Sequence, residues 1–280
     1  MRILALMIAA GTGCAIAQTA GVQEIMARVA ANQARTQELR RQYVYTQKQT
    51  LRLVRSNGKI AREERREYLV TPGRKKVKKH LVKFTGQYES KGRYTPYDKP
   101  EYHYKGLDVD ADLINSLSED LTNDQKSKDG ISCDLFPLTG SEQSKYKFRL
   151  VGEEKYRGHG VYRVAFEPDG KHHEEDGGTI WKGEALIDRA EYQPVLITTK
   201  LAYNIPLAVK ILLGTNIKGL GFTLSYEKFE EGLWFPVSYG GEFDVRGLFF
   251  YKRAMSVALT NSDFHKLDVN STVAYATEDK

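Results

Sequence analysis

The residues best equipped for chemistry in this chain are His172, His173, Glu174, Glu175 and Asp176, five consecutive side chains of metal-ligating type. Five neighbours in one loop cannot all face one ion, and no His-Glu-x-x-His or Cys-x-x-Cys pair completes the set, so the cluster reads as a solvated turn. Gly214 to Gly221 has the glycines of a phosphate loop, but Leu220 and Gly221 stand where Lys and Ser or Thr would meet phosphate and magnesium. That segment reads as a flexible connection. Cys133 lacks the local signature of a nucleophile, and there is no Gly-x-Ser-x-Gly elbow. Without a nucleophile, a metal set or a cofactor fingerprint, the chain reads as a non-enzyme that takes neither metal nor cofactor.

Binding chemistry is better represented. Arg74, Lys75, Lys76, Lys78 and Lys79 form a basic run on a predicted strand. Two readings stay open: an edge strand protected by its lysines, or a cationic face that meets anionic headgroups or an acidic envelope partner. The whole chain carries a formal charge of +6 and a pI near 9.0, which suits a polyanionic surface. Nucleic acid is not expected, because no zinc-finger spacing or helix-turn-helix pattern is present.

The address comes from the N-terminus. Met1-Arg2 is a short basic start, Ile3 to Ala10 is apolar but too short to span a bilayer, and Ala15-Ile16-Ala17 is a small-x-small cleavage site. Residues 1–17 therefore read as a signal peptide, and 18–280 as a single periplasmic domain. The competing cut is at Cys14, which would leave a membrane-anchored lipoprotein. Cleavage after Ala17 leaves Cys133 alone, so stability must come from a core, and 41% apolar with 28% charged composition is ordinary for one. The apolar stretch Ile205 to Leu213 holds Pro206 and Lys210 and is too short to cross a membrane. It reads either as core or as a loop that gates a cavity or dips into a membrane surface.

The elements follow from periodicity. Val22, Ile25, Met26 and Val29 recur at helical spacing, which predicts an amphipathic helix running to about Arg41. The period then changes to two over Tyr43 to Leu53, Ile60 to Val70 and Arg74 to Phe84, giving three meandering strands. Residues 86 to 105 show no clear period and read as a long loop. Leu107 to about Leu121 reads as a helix, and Cys133 to Leu138 as an apolar connector. From Tyr146 onward the chain is strand and turn: Tyr146 to Val151, Val161 to Phe166, Thr179 to Asp188, Pro194 to Tyr203, Gly221 to Phe229, Leu233 to Val245 and Phe249 to Thr260. About ten antiparallel strands and two helices make a mainly β (α+β) chain, a curved sheet with helices laid on one face.

The ordered set Tyr146-x-Phe148-x-Leu150-x-Gly152-x-Glu154, Gly160-Val161-Tyr162-x-Val164-x-Phe166-x-Pro168, Gly183-x-x-x-Ile187-Asp188, Pro194 and Gly232-Leu233-Trp234-Phe235-Pro236 resembles the periplasmic outer-membrane lipoprotein-sorting carrier (LolA-like) superfamily. The resemblance covers roughly residues 22 to 260 in element order. It implies an incomplete, half β-barrel covered by helices and holding acyl chains, with this chain a divergent member. Trp181, Ile187, Val195, Ile197, Leu201, Phe222, Leu224 and Phe243 fall on one face of their strands, with Trp234 at the wall or rim. They are either core filling or the lining of an apolar cavity. The expected partners are a lipid or lipoprotein acyl chains, possessed by a monomer, with peripheral contact to an anionic membrane or an envelope protein. The competing expectation is an envelope sensor or interaction module that binds protein or polyanion through the basic face and holds no lipid.

Overall fold

The computed structural model describes residues 13–71, 73, 77–122, 139–170, 181–202, 215–218, 221–247 and 251–267; the side chains of 13–20, 119–122, 201, 215–218 and 247 are not among those described. The signal expected at 1–17 falls mostly outside this set, and so do Arg74, Lys75, Lys76, the connector at 133–138, the acidic turn at 172–176 and the apolar stretch at 205–213.

Helix α1 (Gly13–Arg40) leads into β1 (Tyr43–Val54), β2 (Ile60–Thr71), β3 (Lys78–Ser90) and β4 (Arg93–Tyr97); α2 (Val109–Thr122) and the short α3 (Gly140–Gln143) follow. The remaining strands are β5 (Tyr146–Tyr156), β6 (His159–Pro168), β7 (Trp181–Asp188), β8 (Pro194–Leu201), β9 (Thr215–Lys218), β10 (Gly221–Glu230), β11 (Leu233–Gly247) and β12 (Tyr251–Lys266). These twelve described strands form one sheet in the order β4-β3-β2-β1-β12-β11-β10-β8-β7-β6-β5, with β9 on β11. Every ladder is antiparallel. The sheet is not closed into a barrel; β4 and β5 are its two ends. The mainly β, helix-covered architecture expected from the sequence is the one observed.

Three expectations need correction. Residues 86 to 97 are not loop: β3 continues to Ser90 and turns through Lys91 (φ 51°) and Gly92 (φ 81°) into β4. A two-residue turn with both central φ positive suits the twist of a hairpin. The Gly and Pro that read as breakers have local reasons to be there. A Cβ on Gly86 would lie 2.3 Å from the Tyr97 ring, so the bare backbone admits that ring, and Pro96 sits on the end strand, where a missing N–H is tolerated. The connection read as flexible around 214–221 contains β9, which takes up the ladder to β11 beyond the end of β10. The hairpin β5–β6 is longer than expected and turns at Arg157-Gly158; alternate exposure runs unbroken from Tyr146 to Tyr156, while a bulge between Leu150 and Gly152 shifts the pairing with β6.

Two helices cover one face of the sheet. Val22, Ile25, Met26 and Val29 of α1 pack with Val164, Ala185, Ile187, Val195, Ile197, Leu224 and Trp234. Leu113 and Ile114 of α2 pack with Leu51, Leu53, Met255, Val257 and Leu259. The chain thus has two apolar cores on the same sheet face, one under each helix. A smaller aromatic group, Tyr43, Phe229, Phe235 and Phe264, closes the end where β1 begins.

Candidate ligand-binding face

The register defines a continuous row across the helix-covered face. Starting at β5, it runs through Leu150, Val164, Ala185, Ile197 and Leu224, then Tyr239 and Leu259, and then Gln49, Arg66 and Phe84. The row is mainly apolar to Leu259, turns polar at Gln49 and Arg66, and ends in Phe84.

Ile187, Val195, Ile197, Leu224 and Trp234, all expected at the cavity, come together in the core beneath α1. Ile187 and Ile197 are 0% exposed, so protein encloses them on all sides. Phe243 belongs instead with the core under α2. Trp181 and Phe222 form an edge-to-face pair at 5.2 Å, and Phe222 stacks on Tyr239 at 5.0 Å with 16° between planes. Tyr239 packs against both cores, so this aromatic run lies at the seam between them. The side chain of Leu201, paired in register with Trp181, lies outside the description.

Tyr239 was not singled out by sequence reasoning, and its setting is unusual. Burial pushes its phenol well above the ordinary range, yet the residue keeps part of its surface accessible. None of the described residues hydrogen-bonds its hydroxyl. Tyr239 thus combines a deep position with some accessible surface and a hydroxyl that no described residue bonds.

The part of α1 that follows Val29 is buried too, but it is polar. Asn32 Nδ2 donates to the carbonyl of Glu191 at 2.7 Å, Gln33 Nε2 to Gln193 Oε1 at 2.6 Å, and Arg40 Nη1 to the carbonyl of Trp234 at 3.0 Å. Glu191 in turn accepts from Trp234 Nε1 at 2.9 Å and Gly232 N at 3.0 Å, and pairs with Lys228. Burial works to raise the Glu191 carboxyl; the bonds from Lys228, Trp234 and Gly232 outweigh it and hold the group below its ordinary range.

On β2 the covered face carries charge. Arg62 donates from Nε to Tyr97 Oη at 2.7 Å and from Nη1 to Asp108 Oδ2 at 2.9 Å, and bonds the carbonyl of Tyr102. Arg66 donates to Glu64 Oε2 from Nε at 3.0 Å, to Ser118 Oγ at 2.5 Å and to Asn115 Oδ1 at 3.1 Å. Tyr97 donates to Glu64 Oε1 at 2.6 Å, and its own phenol is raised by burial and then by that carboxylate. Two guanidiniums face two carboxylates, and every guanidinium nitrogen has a partner. The group is a saturated, neutral clamp that seats α2 on the sheet. At the start of α2, Arg253 makes a bidentate pair with Asp110 at 2.9 and 3.0 Å, and Tyr251 donates to Asp110 Oδ1 at 2.6 Å.

Of the expected basic face, Lys78 and Lys79 are described. Lys78 is exposed, whereas Lys79 Nζ donates to Gln47 Oε1 at 3.1 Å. The ladder between β3 and β4 covers only Gly86 to Ser90. Among the described residues, 78–85 are therefore paired on one side only, against β2. No group of three metal-ligating side chains stands together among the described residues, and no helix of those residues is long and apolar enough to cross a membrane.

No protein-family model matches the chain, and no curated protein matches it. Among solved structures it is similar to a Vibrio parahaemolyticus domain whose proposed role is outer membrane lipoprotein sorting: 14% identity, 85% of this chain and 93% of that one, TM-score 0.35. It is similar to a DUF1329 family protein from Desulfovibrio piger, at 12% identity over 92% of this chain and 96% of that one, TM-score 0.39. A LolA superfamily protein from Nitrosomonas europaea is similar at 11% identity over 90% and 96%, TM-score 0.33. The fold rests on the sheet order and register given above.

Proposed function

We propose that the protein is a secreted, monomeric binding protein of the cell envelope that holds a lipid, or the acyl chains of a lipoprotein, against the helix-covered face of its open sheet. The observation that carries this reading is the aromatic seam of Trp181, Phe222 and Tyr239 between the two cores, with Tyr239 partly accessible and its hydroxyl bonded by no described residue. Binding is non-covalent. Burying alkyl chain contributes about 0.8 kcal/mol per methylene, so a long chain supplies ample affinity. The cost is moving α1 or a loop far enough to admit the chain. Periplasmic delivery by residues 1–17, and a place in outer-membrane lipoprotein sorting, belong to this proposal.

A second reading places the partner on the basic face. It is favoured by the half-open edge of β3, where Lys78 and Lys83 flank the exposed Leu81 and Val82. An anionic membrane or an acidic envelope protein fits that chemistry.

Titrating the full chain with a fluorescent fatty acid tests the first reading. Saturable binding is expected, weakened at least about tenfold by Phe222→Asp and unaffected by Val82→Asp. Absence of saturable binding removes the lipid reading and leaves the edge of β3.

A further inference from the structure

Among the described residues of the row across the covered face, Gln49 Oε1 is a fully buried polar atom with no partner. Gln49 is 1% exposed, and this oxygen is buried with no hydrogen-bond partner. A relay of amides fixes which of its two polar atoms is left over. Asn261 Nδ2 donates at 2.9 Å to the carbonyl of Pro236, which can only accept. Asn261 Oδ1 therefore faces Gln47 and accepts from its Nε2 at 3.1 Å. Gln47 Oε1 then accepts from Gln49 Nε2 at 3.3 Å and from Lys79 Nζ at 3.1 Å, an ammonium that can only donate. With a pure acceptor at one end and a pure donor at the other, none of these amides can flip without losing bonds. The atom that Gln49 presents is an acceptor.

Its place is as telling as its chemistry. In the row, Leu259 separates Gln49 from Tyr239, and Arg66, already bonded to Glu64, lies on the other side. Gln49 thus stands at the end of the apolar run, between Leu259 and Arg66 and two strands from the aromatic seam at Tyr239.

We infer that Gln49 receives the polar end of the apolar ligand, and that this end carries a hydrogen-bond donor, a hydroxyl or an N–H, rather than an ether, an ester or a free carboxylate. The inference rests on the binding of an apolar chain proposed above. A buried acceptor without a donor is costly, so the empty state is penalised and a donor-headed ligand relieves the penalty. An acceptor-only head placed there faces another lone pair and gains nothing. The hydroxyl of Tyr239, one strand beyond Leu259 and bonded by no described residue, would take a second polar atom of the same ligand.

The test compares two probes of nearly equal length, 1-decanol and decyl methyl ether, titrated into the full chain and into the Gln49→Met variant. The wild-type chain is expected to bind the alcohol about tenfold more tightly than the ether. Gln49→Met is expected to erase that preference while leaving the ether's affinity unchanged. Equal affinity for the two probes in the wild type overturns the inference without recourse to any variant, and so does a preference that survives in Gln49→Met. Failure of both probes to bind overturns the apolar-ligand reading itself, an outcome distinct from equal binding.

Discussion

Asn32 on α1 donates to the main-chain carbonyl of Glu191 at 2.7 Å, which fastens the C-terminal half of the helix to the turn between β7 and β8. Beyond Val29 the covered face of α1 holds the sheet through a few polar bonds rather than a continuous apolar stripe. On the proposed function, this is the side from which α1 lifts. Asn32→Ala should speed both uptake and release of a fluorescent fatty acid about fivefold, with a smaller change in Kd. Stopped-flow fluorescence measures both rates, and unchanged rates would place the entrance elsewhere.

Glu191 makes the same attachment sensitive to acid. Its carboxyl is held below the ordinary value by Lys228, Trp234 and Gly232 despite burial that opposes them. A depressed carboxylate contributes stability above its unfolded pKa and loses it as pH falls through the folded value. Urea midpoints should therefore fall between about pH 6 and about pH 3 by more in the wild type than in Glu191→Gln. Parallel curves would show that this carboxylate is not coupled to folding.

The clamp on β2 predicts a large, specific cost. Arg62 is 0% exposed and faces Glu64, Tyr97 and Asp108. Arg62→Ala leaves a buried carboxylate without its partner, at a cost of about 3–5 kcal/mol. Urea denaturation reads the loss, and a cost under about 1 kcal/mol would mean that water or a rearranged α2 replaces the guanidinium.

Gly86 tests the same clamp from behind. An added Cβ would meet the Tyr97 ring at 2.3 Å, and displacing that ring breaks its bonds to Arg62 and Glu64. Gly86→Ala should cost about 1–3 kcal/mol, although alanine suits a strand better than glycine does. A neutral or stabilising result would show that the hairpin of β3 and β4 yields freely.

The basic edge separates the two functional readings. Lys78→Glu with Lys83→Glu reverses two exposed charges and removes no described bond. Retention of an acyl probe should be unchanged, while sedimentation with anionic vesicles should fall severalfold if that edge meets a membrane. Loss of the acyl probe in this variant would contradict a ligand site on the covered face. Lys79 is unsuited to the test because it anchors Gln47.

Most of the fold was legible where the alternation of two ran long, as in β1, β6 and β7, and where α1 and α2 kept an apolar stripe. It failed where backbone geometry, rather than side-chain period, decided the outcome: the Lys91-Gly92 turn, the Gly86 strand position beneath Tyr97, and the bulge after Leu150. The site was half legible. Apolar alternation identified Ile187, Ile197 and Leu224, but it did not single out Arg62, Glu64 and Arg66, because charge normally marks the wet face. The available signal was parity, since the same face of β2 continues into buried Tyr68 and Val70. Gln49 and Tyr239 carry no local signal; only the register across β11, β12 and β1 aligns them.

The most direct test is native mass spectrometry with lipid extraction on the full chain, secreted by a Gram-negative host and purified without detergent. The account predicts near-stoichiometric lipid, lost when Phe222 or Trp181 is changed to a charged residue. A stable, correctly processed protein that carries no lipid and takes up no fatty acid would contradict it.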